Sequence, residues 1–345
     1  MSVDDRTAAG QPGSDAERPQ DIPARGWLQV VKRAWKEAKS DHVPLLAGGV
    51  AFFGFLALFP AMIALVTVYG MVASPKSIPD QVQKLGSSVP ASARQLLVDQ
   101  LRSVADNSSG ALTIGLAIAL VAALWSASSG VMNLMKAVNT AYDEDETRGF
   151  LKLRGTALAL TLGAVVFLLL TLALVAAVPP LLNHLNLGMA GTIAAQVVRW
   201  GLLLALVMGG LAIVYRVAPD RDSPRLRWVS VGAVVATVLW IAASVAFSFY
   251  VSNFGKYNKT YGTFAALAVL MLWLYITAYI VLLGAEINAE AEHQTARDTT
   301  VGPDQPMGER GAYVADTYPE DGAGRSDADA GGGAQRTRSQ GSTAR

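Results

Sequence analysis

The chain reads RGTALALTLGAVVFLLLTLALVAAVPPLL from residue 154 to residue 182, and its only charged side chain stands at the first position. A run of this length and apolarity can cross the hydrocarbon layer of a bilayer as a helix. Backbone amides find no water in that layer, so the segment must pair its N–H and C=O groups internally. This stretch therefore predicts a transmembrane helix and decides the fold class.

Comparable stretches lie on both sides of it, and the predicted spans cover residues 43–72, 111–139, 154–182, 191–217, 228–251 and 262–290. The composition agrees, because 52% of the 345 residues are hydrophobic and only 16% are charged. We predict an all-α polytopic membrane protein, in which a bundle of six transmembrane helices forms one domain over residues 43–293.

Tails and an interfacial helix complete the predicted organisation. Residues 1–24 and 294–345 lack periodic apolar positions, so we expect both tails to be disordered. In residues 25–42 apolar side chains recur at helical spacing between lysines and arginines, which predicts a basic amphipathic helix at the membrane surface. The connection 74–110 is expected to form amphipathic helices on the outer mouth of the bundle, or a loop that rests on lipid headgroups.

The distribution of charge predicts the orientation. Lys and Arg concentrate before the first span and in the second and fourth connections, so the positive-inside rule places these segments and both termini in the cytoplasm. The net charge of +1 does not suggest nucleic acid as a partner. The chain has no cysteine, which excludes disulfides, thiol nucleophiles and cysteine-ligated metals.

The second span carries a polar stripe. Five side chains project within a sector of about 80° at helical spacing: Ser126, Ser129, Asn133, Lys136 and Thr140. Polar groups are costly in a membrane and usually turn toward the interior of a bundle. The stripe predicts either a lined cavity or hydrogen bonds between helices, with Lys136 reaching toward the cytoplasmic surface.

The sixth span carries a matching face within a sector of about 60°, formed by Tyr275, Tyr279, Glu286, Glu290 and His293. Glu286 is the candidate partner of Lys136, because both lie toward the cytoplasmic ends of their helices. The alternative is an interfacial carboxylate solvated by headgroup water. In the first span Pro60 removes a helical hydrogen bond, which predicts a helix break near it or simply a tolerated membrane proline.

Catalysis finds little support in the residues. The three histidines lie on different elements without the spacing of a metal site, so we expect no metal and no cofactor. The acidic run 143–146 is consecutive in a short loop and indicates a solvated turn rather than converging catalytic carboxylates. We expect a protein that is not an enzyme.

Short motifs occur in a fixed order along the spans: FFGFLALFP at 52–60, Asn139 with Tyr142 and Arg148, YRVAP at 215–219, Tyr261-Gly262, LWLY at 272–275 and LGAEINA at 283–289. Over residues 27–293 the chain resembles the YihY/BrkB family of bacterial inner-membrane proteins, although Gly48 and Gly49 stand where that family usually has alanine. The resemblance implies six helices in the cytoplasmic membrane and a link to the cell envelope, including serum resistance. It also brings an old ribonuclease BN label, which no metal cluster or acid/base pair in this sequence supports.

The leading hypothesis is a protein that transports or flips a lipid, a lipid-linked precursor or another amphiphile, with membrane lipids as partners. The candidate pathway residues are Ser129, Asn133, Lys136, Arg216, Tyr257, Tyr261, Tyr275, Tyr279 and Glu286. Lys136 and Arg216 would meet anionic headgroups, Glu286 would be their counter-charge, and Tyr257 and Tyr261 would contact the outer interface. A non-transporting envelope scaffold is the alternative, a membrane enzyme such as a ribonuclease is the least favoured function, and a homo-oligomer or envelope protein partners are left open.

Overall fold

The computed structural model describes residues 12–72, 114–178, 188–254 and 258–319. Regular structure in these ranges is helical, apart from an isolated bridge between Pro224 and Thr300. The α-helices of these ranges, in chain order, are α1 (Ala24–Ser40), α2 (Val43–Val72), α3 (Ile114–Ala141), α4 (Phe150–Leu172), α5 (Gly188–Val217), α6 (Leu226–Phe254), α7 (Asn258–His293) and α8 (Tyr313–Asp316). The predicted amphipathic connection 74–110 lies outside the described residues.

Helices α2, α3, α5, α6 and α7 match the predicted spans to within four residues, because apolar runs favour helices that satisfy their own backbone. Helix α4 ends at Leu172 and continues as a π-helical turn over Ala173–Ala177, and the predicted end of this span at residue 182 lies outside the described residues. Four segments are long and apolar enough to cross a membrane: Phe150–Val175, Gly188–Val217, Leu226–Ser252 and Leu267–His293. Taking α1 with the first part of α2 as one broken span gives up to five. The polytopic helical fold class is thus confirmed, and the count of six crossings stays a prediction.

Helix α1 meets α2 at a bend of 66°, where His42 adopts a positive φ of 54°. One face of α1 is buried, with Gly26, Val30, Ala34 and Ala38 on it, and the helix packs mainly on α7. Three large apolar side chains of α1 are more than half exposed: Leu28, Val31 and Trp35. Residues 24–40 form a helix with one buried face, and the position of this helix at a membrane surface stays a prediction.

Helix α7 is the centre of the bundle, since it packs against α1, α2, α3, α6 and α8. Helices α4 and α5 are peripheral, because only 6% of their apolar windows is buried, against 28% in α6. The segments 12–42, 142–149, 218–225 and 294–319 meet at one end of the bundle, which we call the polar end. The buried core, which includes Met135, Tyr215 and Leu282, lies beside it.

Helices α6 and α7 approach each other closely at Gly232 and Gly284. A Cβ at Gly232 would collide with the carbonyl oxygen of Gly284, and a Cβ at Gly284 would collide with the Tyr215 hydroxyl. The Asn288 Oδ1 accepts a hydrogen bond of 2.6 Å from the Gly232 amide, and its Nδ2 donates to the Val229 carbonyl at 3.2 Å. The two glycines thus allow the backbones of α6 and α7 to approach, and the hydrogen bonds of the Asn288 side-chain amide stabilise this contact.

The predicted disorder of both tails is wrong for their described parts, 12–24 and 294–319. Thr295 donates its hydroxyl to the Ala16 carbonyl at 2.7 Å, so the two tails contact each other. Arg225 donates its amide to the Thr299 carbonyl and its Nε to the Thr300 carbonyl, at 2.9 and 2.8 Å. Polar residues order these tails through hydrogen bonds to the loops, a contribution that hydrophobic periodicity does not reveal.

The helix break predicted at Pro60 is also absent, because α2 runs as one helix from Val43 to Val72 with Pro60 inside it. Proline is tolerated in membrane helices when neighbouring groups satisfy the freed carbonyl. The sharp change of direction lies instead at Asp41 and His42, between α1 and α2.

Candidate functional site

The polar stripe of α3 makes hydrogen bonds within its own helix and to α4. Asn133 donates its amide to the Ser129 carbonyl at 2.8 Å, and Thr140 donates to the Lys136 carbonyl at 3.2 Å, so both bond within their own helix. Ser129 turns toward α4, where its hydroxyl accepts a bond of 3.3 Å from Arg154. These three side chains of the stripe therefore form hydrogen bonds within the protein, which agrees with the hydrogen-bonding alternative rather than with a lined cavity.

Lys136 and Glu286 do not form the predicted ion pair. Lys136 is exposed, whereas Glu286 is only 1% exposed and its Oε1 has no hydrogen-bond partner among the described residues. The two helices do contact each other, but α7 presents Glu286 to the core beside the start of α2 rather than to the surface of α3 that carries Lys136. Carboxylates add negative charge around Glu286, namely those of Asp41, Glu290, Asp143 and Glu37.

The rest of the α7 face splits into two parts. Tyr275 and Tyr279 stack, with ring centroids 6.3 Å apart, and pack against the core. Glu290 accepts a bond of 2.5 Å from the Arg33 Nε on α1, and His293 lies 3.9 Å from the other Glu290 oxygen. Of the two carboxylates on this predicted face, Glu290 is therefore the one that forms an ion pair, and its partner comes from the basic helix α1.

The remaining pathway candidates are placed as follows. Arg216 is half-buried in the last turn of α5, and no described residue pairs with it. Its neighbour Tyr215 is buried and donates its hydroxyl to the Val281 carbonyl at 2.8 Å. Tyr257 and the side chain of Tyr261 lie outside the described residues.

A buried ion pair that the sequence analysis did not identify joins Arg221 to Glu292. Their side chains are fully buried, and the distance between Nη2 and Oε2 is 2.7 Å. Thr299 donates its hydroxyl to the same Glu292 oxygen at 2.8 Å, and the guanidinium lies 5.2 Å from the Tyr142 ring centroid. Burial alone would lower the pKa of the Arg221 guanidinium, but the Glu292 carboxylate outweighs it and raises that pKa.

A second missed network ties the α3–α4 loop to the α5–α6 loop. Asn139 donates to Glu146 at 2.9 Å and accepts from the Asp220 amide at 2.8 Å. Arg148 contacts the Glu146 carboxylate at 2.6 Å and the Ala218 carbonyl at 2.8 Å. The hydrogen bonds from Arg148 lower the pKa of the Glu146 carboxyl. The acidic run predicted to be a solvated turn therefore contributes Glu146 to a structural joint.

Weak signals for both networks exist in the sequence. Asn139, Tyr142 and Arg148 belong to the motifs that carry the family resemblance, and Arg221 lies in the basic fourth connection. Their partners Asp220 and Glu292 are distant in sequence, so spacing along one helix could not pair them. Only the folded arrangement brings these residues together.

Six side chains of the described residues keep a buried polar atom without a hydrogen-bond partner, and the two of them that are charged and themselves buried define the candidate site. They are Glu286, through Oε1, and Arg154, through Nε. Among the described residues no group of three His, Asp or Glu side chains could hold a metal ion. The arrangement can bind charge or a polar headgroup, whereas the ion pairs of the polar end are satisfied by protein.

Comparisons with known proteins agree on one group of proteins. A family model described as virulence factor BrkB matches residues 34–308. The chain is 35% identical over 245 residues to the putative ribonuclease-like protein YfkH of Bacillus subtilis, covering 70% of this chain and 86% of that protein. It is 28% identical over 276 residues to a UPF0761 membrane protein of Alteromonas mediterranea, covering 75% of this chain and 89% of that one. A UPF0761 membrane protein of Vibrio vulnificus is 27% identical over 292 residues, with 81% and 88% covered. No solved structure matches the chain.

Proposed function

Because the chain belongs to the virulence factor BrkB family of membrane proteins, we propose that it moves a lipid, a lipid-linked precursor or another amphiphile between the leaflets of the cytoplasmic membrane. The observation that carries this proposal is Glu286, an ionisable side chain buried within the helix bundle with one oxygen unpaired. Ionisable groups inside membrane helices are expensive and usually serve a pathway.

The polar end is proposed to face the cytoplasm, which places both termini there. Lys and Arg recur at this end, in α1, between Arg148 and Arg154 and between Arg216 and Arg227, as the positive-inside rule expects of cytoplasmic segments. Lys136, which is exposed, and Arg216, which has no partner among the described residues, would receive an anionic headgroup at this side. Tyr257 and Tyr261 would contact the headgroup at the opposite interface.

Reconstitution tests the proposal. Purified protein in liposomes should move fluorescent lipids faster than empty vesicles do, for at least one headgroup in a series. Glu286→Gln should lower that rate by about tenfold, which corresponds to about 1.4 kcal/mol in the rate-limiting step. Asp145→Asn is the matched control, since Asp145 is an exposed carboxylate at the same end, and it should leave the rate unchanged.

Two results would refute the transport proposal. One is a wild-type rate equal to that of empty vesicles with every headgroup. The other is an unchanged rate in Glu286→Gln. Elution of each variant as a single species in size exclusion shows that the comparison concerns folded protein.

A non-transporting envelope scaffold is the second candidate, and the extensive ordered surface of the polar end favours it. The segments 12–42 and 294–319 form a fixed cover over the helix ends, a suitable platform for other proteins. Under this proposal Lys136→Ala and Glu286→Ala would both complement a deletion strain under envelope stress, whereas removal of residues 74–110 would abolish complementation.

A further inference from the structure

Arg154 is a buried arginine without a carboxylate. It lies in the second turn of α4, is 6% exposed, and inserts against α3. Its Nη1 donates to the Ser129 hydroxyl at 3.3 Å and to the Met132 sulfur at 3.2 Å, its Nη2 donates to the Trp125 carbonyl, and its Nε has no partner. Every described contact of this guanidinium is therefore with a neutral group.

Several other arginines of the described residues have the counter-ion that Arg154 lacks. Each of four forms an ion pair with a carboxylate at 2.5 to 2.7 Å: Arg33, Arg148, Arg221 and Arg225. A buried charge without a counter-ion costs several kcal/mol, so an arginine in this state is poised to accept an anion. Its fork of N–H donors matches the oxygens of phosphate and carboxylate groups.

The surroundings of Arg154 select the kind of anion. The guanidinium carbon lies 3.9 Å from the Trp125 ring centroid, and that ring is 47% exposed on the outside of the bundle. An apolar surface depression continues from Trp125 along α3, lined by Ala122, Val121 and Ile118. From Trp125 to Ile118 the helix rises about 10 Å, which is long enough for the upper part of an acyl chain.

We propose that Arg154 and Trp125 form a binding site for the phosphate of an anionic phospholipid, whose acyl chain lies in the depression of Ile118, Val121 and Ala122. The phosphate oxygens accept bonds from the free Nε and from Nη2, and the half-exposed Trp125 ring turns away from the guanidinium to admit them. A free phosphate ion shares this chemistry, but it would leave the apolar depression unused. The site binds lipid whether or not the protein also transports it.

Native mass spectrometry of the full-length protein, delipidated in detergent, tests the assignment. Phosphatidylglycerol should bind to the wild type, and Arg154→Gln should weaken that binding by about tenfold or more. Lys152→Gln is the matched control, since it removes an exposed positive charge two residues away on the same helix, and it should change affinity by less than about twofold.

Ile118→Trp provides a second variant that leaves the buried arginine intact. Ile118 is 63% exposed, so the larger ring fills the depression without entering the core. It should weaken phosphatidylglycerol binding, while inorganic phosphate at millimolar concentration should not displace the lipid from the wild type.

Several outcomes would overturn the site. Equal phosphatidylglycerol affinity in the wild type and Arg154→Gln would show that Arg154 does not bind the lipid. A loss of affinity in Lys152→Gln as large as that in Arg154→Gln would show that the lipid is attracted by positive surface charge in general. Efficient displacement by inorganic phosphate, or wild-type affinity in Ile118→Trp, assigns the site to a free anion instead. Because the assay measures binding in detergent without movement between leaflets, its failure is separate from a failure of the transport proposal.

Discussion

Individual ion pairs determine how the polar end is held together. The Arg221–Glu292 pair is fully buried, and Thr299 hydrogen bonds to the same carboxylate, so neither charge is left without a partner. The Arg225–Asp304 pair has a similar distance of 2.7 Å, but the Asp304 side chain is 80% exposed. Removing one partner of a buried pair is far more costly than breaking an exposed one.

Glu292→Gln should therefore destabilise the protein by about 3–5 kcal/mol, because the Arg221 guanidinium stays buried without an anion. Asp304→Asn should cost no more than about 1 kcal/mol, because water solvates both of the separated charges. Unfolding of the two variants in the same detergent checks the contrast. Similar losses of stability in both would mean that burial does not control the strength of these pairs.

Asp220 makes the joint between the two loops sensitive to acid. Burial raises the pKa of its carboxyl, but hydrogen bonds from Thr147 and Arg148 outweigh burial, so the pKa is lowered overall. A carboxyl with a lowered pKa in the folded state stabilises the protein above its unfolded pKa of about 3.9, and the stabilisation is lost as pH falls further. Acid should therefore weaken this joint.

The Tm difference between wild type and Asp220→Asn should accordingly be largest near neutral pH and shrink below a pH of about 4. Thermal unfolding in one detergent over a series of buffers measures this difference. A gap that remains constant throughout the acidic range would show that the carboxylate charge of Asp220 does not stabilise the joint.

Among the candidate residues, prediction from sequence succeeded where a residue acts within its own helix. Periodicity placed Ser129 and Asn133 on one face of α3, and Asn133 does bond to the Ser129 carbonyl. It failed for the Lys136–Glu286 pair, because the rotation of α3 relative to α7 depends on packing with α2, which no pattern within one segment encodes. Arg154 counted only as a basic residue of a connection, although the folded chain buries it.

At the scale of helices, the α6–α7 contact depends on glycine. A Cβ on Gly284 would meet the Tyr215 hydroxyl, the Ala236 Cβ and the Gly232 carbonyl oxygen. The Asn288 bonds to α6 form only because the two backbones approach this closely. Separation of the helices would therefore weaken both packing and hydrogen bonding.

Gly284→Ala should lower the free energy of unfolding by about 1–3 kcal/mol, because the inserted methyl group overpacks the contact. Gly163→Ala on α4 is the matched control, since a Cβ there meets no atom within 4 Å, and it should be neutral or slightly stabilising. Comparison of the melting temperatures of both variants with that of the wild type measures these effects. An unchanged Gly284→Ala would mean that α6 and α7 can separate without cost.

Helix positions were the most predictable part of this fold. Hydropathy predicted the bounds of α2, residues 43–72, as the structure has them. This succeeds because every segment that crosses the lipid needs a run of about 20 apolar residues. Hydropathy ended the sixth span at residue 290, whereas the polar helical face reached His293, which is where α7 ends. Arg33 of α1 pairs with Glu290 in this polar last turn. Helix ends are decided by partners outside the helix.

For the molecule as a whole, the segment 294–319 connects parts that are distant in sequence. It contacts the first tail through Thr295, the α5–α6 loop through Thr299 and Val301, and the α3–α4 loop through the Tyr313 amide, which donates to Glu144 at 2.8 Å. Composition predicted disorder here because Gly, Asp and Arg are frequent. Asp298, Arg310 and Asp316 nevertheless form hydrogen bonds within the segment that help to order it. Apolar patterning alone therefore underestimates the ordered part of the chain.

A chain that ends after His293 should be less stable than one that ends after Pro319. The shorter chain loses the Thr299 bond to Glu292 and the bonds between Arg225 and residues 299 and 300, so we expect its Tm to fall by about 4 °C or more. The longer truncation is the reference, because it keeps every described residue of the segment. Equal Tm values for the two truncations would show that the segment adds nothing to stability.

The position of this segment also has a consequence for biosynthesis. Residues 294–319 leave the ribosome after every helix and loop that they contact has been synthesised. Until then the loops at residues 144 and 222–225 lack their final partners, and a nascent chain held at the translocon keeps them uncovered. Completion of this surface is thus a late, post-insertion event, and a reporter fused at residue 294 would interrupt it, whereas one fused after residue 319 would not.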